Sequence, residues 1–286
     1  MSVIDAAAVR RHFDRAAASY DAAAVLQAQV REQLLGRLQW IAFTPEVVVD
    51  LGCGTGHGAI GLARRWPGAR VIAADFAPGM LRETARHDAD GRCERLAADA
   101  RELPLPDASV DLVFSNLMLP WCDDPDAAFA EVARVLRPRG LYCFTTLGPD
   151  TLVELRAAWR EADRNEHVIP LTDMHDIGDG LIRAGLVEPV LDVSRYTLTY
   201  PDLRSLMRDL KATGARNAAG GRPRGLTTPA RLEAVAAAYE GFRRDGVLPA
   251  SCEVVFGQAW GAIERDAAAP GEVAIPVTAI RRRGGS

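Results

Sequence analysis

Three glycines at alternate positions follow an acidic residue, in the stretch Asp50-Leu51-Gly52-Cys53-Gly54-Thr55-Gly56. Glycine adopts positive φ angles at little cost and, without a Cβ, lets a ligand approach the backbone. Such a turn after an apolar strand is typical of nucleotide-binding α/β folds. The dinucleotide spacing G-x-G-x-x-G fails from Gly52, because His57 takes its sixth position; from Gly56 it fits but runs into a predicted helix. The spacing therefore predicts a ligand-binding turn and disfavours a dinucleotide.

Further polar side chains follow the next predicted strands. Asp75 ends the second strand about twenty residues after the glycine turn, where a carboxylate can accept from both hydroxyls of a ribose. Asp99, followed by Ala100, comes after the third strand and can accept from an adenine amino group. The fourth strand ends in Ser115-Asn116-Leu117 beside the glycine turn. Ligands of doubly wound sheets bind beyond the carboxyl ends of the strands, so these groups are expected to converge.

A parallel sheet is needed to bring these residues together, and the hydrophobic pattern predicts one. Predicted strands lie at 47–50, 70–75, 93–97, 110–116, 141–146, 187–200 and 251–259, with helices alternating among the first five. The order predicts an α/β fold with a doubly wound, mostly parallel, seven-stranded sheet. Residues 1–44 are predicted to form a helical lid and residues 45–262 the main domain. A helical insertion at about 200–249 precedes the last strand, and 263–286 form a flexible tail.

The composition limits the classes of protein to which this chain can belong. The 286 residues are 48% hydrophobic and 25% charged, which fits one soluble globular domain. No apolar run approaches the roughly 20 residues that span a bilayer, and the N-terminus lacks a signal core. The five cysteines form no C-x-x-C pair and the five histidines show no ligand spacing. We therefore predict a cytoplasmic protein without a disulfide framework or a bound metal.

The charge is unevenly spread over the chain. The formal net charge is −4, yet residues 200–231 carry seven basic and two acidic side chains. Arg204, Arg208 and Lys211 recur at i, i+4 and i+7, which places them on one face of a helix. A basic face on an acidic protein favours docking of an acidic partner over a merely solvated surface. Nucleic acid is disfavoured, because the net charge is negative and aromatic residues are not interleaved.

The glycine stretch is similar to the first motif of class I S-adenosylmethionine-dependent methyltransferases. The flanking segments resemble the malonyl-acyl-carrier-protein O-methyltransferases of biotin synthesis, over about residues 9–262. The matching segments are 9–21 (VRRHFDRAAASYD), 114–119 with Trp121-Cys122, 148–156, 210–215 with Asn217, and 253–260. Two positions depart from the family pattern: Pro120 stands where Gln is common, and Gln258 where His is usual.

The resemblance implies S-adenosylmethionine as cofactor and malonyl-acyl-carrier protein as partner of a monomeric enzyme. Methyl transfer to a carboxylate needs no general base, because that group is ionised at neutral pH. The cofactor residues are Asp50 (orienting the loop), Gly52, Cys53 (packing in the turn), Gly54, Gly56, Asp75, Phe76, Asp99, Ala100, Ser115, Asn116 and Leu117. The positioning residues are Tyr20 and Arg208, and the acceptor and partner residues are Phe13, Trp121, Arg204, Lys211 and Arg216.

Two alternatives stay open at this point. A methyltransferase for another small molecule, such as a quinone precursor, would need no docking face for a carrier protein. Some relatives with a similar N-terminus and insertion look like respiratory-complex assembly factors, which would bind a protein subunit and modify or chaperone it.

Overall fold

The computed structural model describes residues 4–163, 165–220, 222 and 227–262. One sheet contains β1 (Val47–Leu51), β2 (Arg70–Asp75), β3 (Cys93–Ala97), β4 (Val110–Asn116), β5 (Leu136–Leu147), β6 (Leu186–Tyr200) and β7 (Leu248–Gly261). The α-helices of the described residues are α1 (Ala6–Ala23), α2 (Val25–Arg37), α3 (His57–Arg65), α4 (Pro78–His87), α5 (Pro125–Val135), α6 (Val153–Ala162), α7 (Met174–Arg183), α8 (Leu203–Ala212) and α9 (Pro229–Glu240).

The order of the strands in the sheet is β3-β2-β1-β4-β5-β7-β6. The first five strands are parallel, whereas β7 runs antiparallel to β5 and β6. The predicted fold class, a mostly parallel seven-stranded α/β sheet, is therefore confirmed. The strand order reverses at β1, so the turns after β1, β2 and β4 meet at one edge of the sheet.

Helices cover both faces of the sheet, which explains why its central strands bury apolar side chains on both faces. Leu26, Val30 and Leu34 of α2 pack with α3 against one face. Phe129 and Val132 of α5 pack with α7 against the other face. Two separate apolar layers thus fix the sheet and the loops at its edge.

Strand β5 differs from its predicted bounds, because it begins at Leu136 and not at residue 141. Leu136 pairs with Val110, and the register then shifts before Leu112 pairs with Leu141. Arg139 has a φ of 63° within this stretch. The residues that suggested a turn, 137–140, therefore form an irregularity inside the strand.

The elements beyond β5 build a cap over the sheet edge. Helices α8 and α9 lie between β6 and β7 in the chain and form an apolar cluster with α6 around Leu155, Trp159, Leu206 and Tyr239. Helix α1 contacts both α4 and α8. The predicted tail, 263–286, lies outside the described residues. In the part of the chain that the structure describes, no helix combines the length and the apolar character required for a membrane span.

Candidate active site

A cavity of about 670 Å³ lies at the carboxyl edge of the sheet, under α1 and the cap. Its volume is in the range of small-molecule pockets. The residues of the sheet edge that line it include Gly52, Gly54, Asp75, Phe76, Asn116 and Leu117. The turns that the strand order brings together therefore do form one wall of a pocket.

The glycine turn is held in a backbone conformation that requires glycine. Gly52, Gly54 and Gly56 have φ angles of 73°, 55° and 87°. A Cβ on Gly52 would lie 2.4 Å from Cγ of Met118, whereas a Cβ on Gly54 would meet no atom within 4 Å. Gly54 thus leaves an open cradle in the cavity wall, which any side chain would fill.

Asp75 ends β2 directly against this turn. Its Oδ2 accepts from the backbone N–H of Gly54 at 2.9 Å, and its Oδ1 accepts from the backbone N–H of Ala77 at 2.8 Å. A carboxylate has about four acceptor positions, so two stay available to a ligand. Burial raises the pKa of Asp75 to about 6. The group is therefore ionised at neutral pH and can accept from a pair of vicinal hydroxyls in the cavity.

Asp50 lies beneath the turn and does not reach the cavity. Its carboxyl accepts from the backbone N–H of Ala59, and a Cβ on Gly58 would meet its Oδ2 at 2.6 Å. Burial raises the pKa of Asp50 to about 7. This placement under the first turn of α3 fits the loop-orienting role that the sequence predicts for Asp50.

The end of β4 contributes Asn116 and Leu117 to the cavity wall. The Asn116 amide is fixed on both sides: its Oδ1 accepts from the Thr145 hydroxyl at 2.9 Å, and its Nδ2 donates to the carbonyl of Gln27 at 3.1 Å. Ser115 is fully buried, and its hydroxyl donates to a carbonyl of β1 at 2.8 Å. Ser115 therefore joins two strands and does not face the pocket.

Several residues assigned to the cofactor from the sequence lie outside the cavity wall, and Asp99 is one of them. Both of its oxygens accept from Arg101, with the shortest contact at 2.7 Å. With the backbone N–H of Arg101, these bonds occupy three of the about four acceptor positions of the carboxylate that was expected to accept from an adenine. The predicted residues outside the wall are Asp50, Cys53, Gly56, Asp99, Ala100 and Ser115. Cys53 is buried under the turn, in keeping with its expected packing role.

The opposite wall is formed partly by aromatic residues that the sequence placed in the lid and the acceptor pocket. Phe13 and Trp121 both line the cavity and meet edge to face, with ring centroids 5.2 Å apart. Tyr20 also lines it, and burial together with the charges of Asp75 and Asp21 raises the pKa of its phenol. Tyr20 is therefore a neutral hydroxyl group at physiological pH, close to Asp75.

The basic residues divide into two groups according to whether they line the cavity. Lys211 and Arg216 line the cavity, although the sequence predicts Lys211 on the docking face with Arg204 and Arg208. Arg204 and Arg208 are exposed on α8 and do not line it, because the apolar face of α8 is the one that packs inward. The position of Arg208 therefore does not support its assignment as a positioning residue at the reacting groups.

Among the cavity residues that the sequence analysis missed, His12 and Arg222 are polar and lie close together. The Nδ1 atom of His12 is buried without a hydrogen-bond partner. Burial and then the positive charges of Arg216 and Arg222 lower the pKa of this histidine. Arg222 also forms an ion pair with Asp5 at 2.9 Å. The immediate neighbourhood of His12 is cationic and suits an anion. In the sequence, the position of His12 next to Phe13 could have indicated that it lines the cavity.

Comparison with known proteins agrees with this geometry. The family described as "Methyltransferase domain" matches residues 49–144. A malonyl-[acyl-carrier protein] O-methyltransferase of Methylovorus sp. (strain MP688) is 52% identical over 265 residues, which is 90% of each chain. The protein of that name from Halorhodospira halophila (strain DSM 244 / SL1) is 48% identical and covers 98% of this chain and 97% of its own.

Solved structures agree on the fold. A candidate methyltransferase of Bacillus halodurans C-125 superposes with a TM-score of 0.58 at 19% identity, over 80% of this chain and 98% of its own. A phosphoethanolamine N-methyltransferase 2 of Haemonchus contortus, solved with S-adenosylhomocysteine, superposes with a TM-score of 0.50 at 17% identity. It covers 81% of this chain and 53% of its own.

Proposed function

This chain belongs to the family of malonyl-[acyl-carrier protein] O-methyltransferases, and we propose that it transfers a methyl group from S-adenosylmethionine to the free carboxylate of a malonyl thioester. The product would be a malonyl methyl ester for biotin synthesis. One observation carries this proposal: a single cavity joins the glycine turn and Asp75 to the cationic cluster of His12, Arg216 and Arg222.

The residues at the sheet edge fit the proposed cofactor. Bound S-adenosylmethionine supplies an electrophilic methyl group on a sulfonium. The open cradle at Gly54 leaves room for a ligand against the backbone, and Asp75 has two acceptor positions left for ribose hydroxyls. Asn116 and Leu117 border the same space, beside the turn. Asp99 and Ala100 are left out of this assignment, because they do not line the cavity.

The acceptor carboxylate is assigned to the cationic cluster. A carboxylate loses its hydration when it enters a pocket, so it needs charged hydrogen-bond partners there. Arg216 and Arg222 supply guanidinium groups, and the lowered pKa of His12 keeps its ring neutral between them. Since the carboxylate is already ionised, the residues have to align it with the methyl group and exclude water. The aromatic pair Phe13 and Trp121 closes that part of the cavity.

The remaining part of the cavity is proposed to hold the long thioester arm of the acceptor. Beyond the cationic cluster the cavity continues between α6, α8 and α9, where Trp159, His167 and Arg231 line it. Arg204 and Arg208, exposed on α8, are proposed to dock the acidic carrier protein, with Lys211 between that face and the cavity. A methyltransferase for a quinone precursor would leave this basic face unexplained, and the names of the relatives do not favour it.

The test is mass spectrometry of the purified protein with S-adenosylmethionine and four acceptors in parallel. These are malonyl-acyl-carrier protein, malonyl-CoA, free malonate and acetyl-acyl-carrier protein, which lacks the free carboxylate. A gain of one methyl group on the malonyl carrier, much less on free malonate and none on the acetyl carrier is expected. A protein that binds the cofactor but methylates none of the malonyl acceptors would overturn the proposal.

A further inference from the structure

Three potential metal ligands from distant parts of the chain meet beside the glycine turn. They are Asp21 near the end of α1, His57 at the start of α3 and His87 at the end of α4. The Nε2 atom of His57 lies 3.3 Å from Oδ2 of Asp21, and the Nε2 atom of His87 lies 3.5 Å from the same oxygen. Among the described residues, this is the one such cluster with three members.

The hydrogen bonds of His87 determine where its proton lies. Its Nδ1 is 2.9 Å from the carbonyl oxygen of Thr55, and a carbonyl only accepts, so Nδ1 carries the hydrogen. In the neutral ring, Nε2 therefore bears a lone pair, and it faces the carboxylate of Asp21. Two lone pairs that face each other repel unless a positive charge lies between them. A metal ion between the two atoms would bind both lone pairs.

The distances agree with a metal ion. Zinc binds imidazole nitrogen and carboxylate oxygen at about 2.0–2.1 Å in a tetrahedron, which places neighbouring ligand atoms about 3.3–3.4 Å apart. The two separations from Asp21 Oδ2, 3.3 and 3.5 Å, have this length. The imidazole rings of His57 and His87 lie 4.6 Å apart between centroids with their planes inclined by 26°, and both Nε2 atoms face the same oxygen of Asp21.

The groups behind the ligands are also those of a metal site. Metal-binding histidines commonly donate their other N–H to a carbonyl, which fixes the ring, and metal-binding carboxylates accept from a neighbour. Thr55 does both, because its carbonyl accepts from His87 and its hydroxyl donates to Oδ1 of Asp21 at 2.7 Å. The ligand side chains are 31–40% exposed, which leaves access for an ion and for water as a fourth ligand.

We propose that Asp21, His57 and His87 bind a divalent transition-metal ion of the zinc class. The ion would join the end of α1 to the glycine turn and to α4. Tyr20, the neighbour of Asp21, lines the cavity, so the ion would hold that part of the lid in place. Neither methyl transfer nor cofactor binding requires this ion, and the proposal stands independently of the proposed function.

The test is isothermal titration of the chelator-treated full chain with Zn²⁺. One ion per chain is expected, with binding weakened at least about tenfold in His87→Gln and in His57→Gln. The matched control is His175→Gln, an exposed histidine bonded to a single carboxylate, that of Asp173, which should bind Zn²⁺ as the wild type does. A second variant, Thr55→Val, removes the hydroxyl group behind Asp21 and should weaken binding without removing a ligand.

X-ray absorption of the zinc-loaded protein gives a second readout, with nitrogen and oxygen neighbours at about 2.0–2.1 Å expected. A sulfur neighbour near 2.3 Å would place the ion on cysteine and overturn the proposal. Absence of stoichiometric binding, or equal affinity in the wild type and in both ligand variants, would overturn it as well. Circular dichroism of each variant would verify that its fold is intact.

Discussion

The carboxylate of Asp75 and the backbone N–H of Gly54 form a 2.9 Å hydrogen bond that joins the end of β2 to the glycine turn. The same bond orients the carboxylate along the cavity wall, which both residues line. A ligand that occupies the open space at Gly54 therefore contacts the free acceptor positions of Asp75.

Asp75→Asn should weaken the binding of S-adenosylhomocysteine about 10- to 100-fold. An amide gives up the negative charge and one of the two acceptor oxygens, and hydrogen bonds to charged groups contribute about 1.5–3 kcal/mol. Isothermal titration measures the affinity. Asp99→Asn is the matched control, because that carboxylate bonds to Arg101 and does not line the cavity. An equal loss of affinity in the control would restore the adenine-binding role predicted from the sequence.

Asp50→Asn should flatten the pH dependence of stability. Burial raises the pKa of Asp50 to about 7, from 3.8. A raised pKa means that the folded state holds the proton more tightly, so stability is highest below about pH 4 and falls as the pH rises through about 7. At about 1.4 kcal/mol per pKa unit, the variant should gain a few kcal/mol on the wild type over this range. Urea unfolding at several pH values gives this difference, and a constant difference would contradict the prediction.

Gly52→Ala and Gly54→Ala should damage different properties. Both positions have positive φ, which costs an alanine about 1–2 kcal/mol. Only the Gly52 variant also forces a methyl group onto Met118, at a further cost of about 1–3 kcal/mol. Gly52→Ala should therefore unfold at clearly lower urea concentration, whereas Gly54→Ala should lose cofactor affinity with a smaller loss of stability. Equal destabilisation by both substitutions would show that Met118 moves aside.

Arg216→Gln and Arg208→Gln remove the same charge from two different places. Arg216 lines the cavity, so its loss should raise KM for the malonyl carrier about tenfold or more. Arg208 is exposed on α8, where a single charge contributes about 1 kcal/mol or less. Its loss should raise KM slightly at low salt and not at high salt, because salt screens surface charges. Steady-state kinetics at two ionic strengths separates the effects of the two variants on KM. The reverse pattern would place the residue that anchors the acceptor carboxylate on α8.

Much of the fold was predictable because it depends on local patterns. Short apolar runs, alternating with amphipathic helices, indicated the parallel strands. The glycine turn and Asp75 were recognisable because their positions relative to strand ends are fixed by the fold class. Asn116 and Leu117 followed from the same rule. The start of β5 was misplaced, since an irregular pair between Val110 and Leu112 continues the strand through residues that suggest a turn.

The sequence by itself determined the family, the sheet and the glycine turn that lines the cavity, because these rest on short-range periodicity and on residue types with special backbone freedom. Only the tertiary structure decided which long-range partners each side chain has. In the folded protein Asp99 bonds to Arg101, Arg208 does not line the cavity, and His12 lies near Arg222. The tertiary structure also gathered Asp21, His57 and His87, whose spacing in the chain suggests no metal site, because the ends of α1 and α4 meet the start of α3 only in the folded protein.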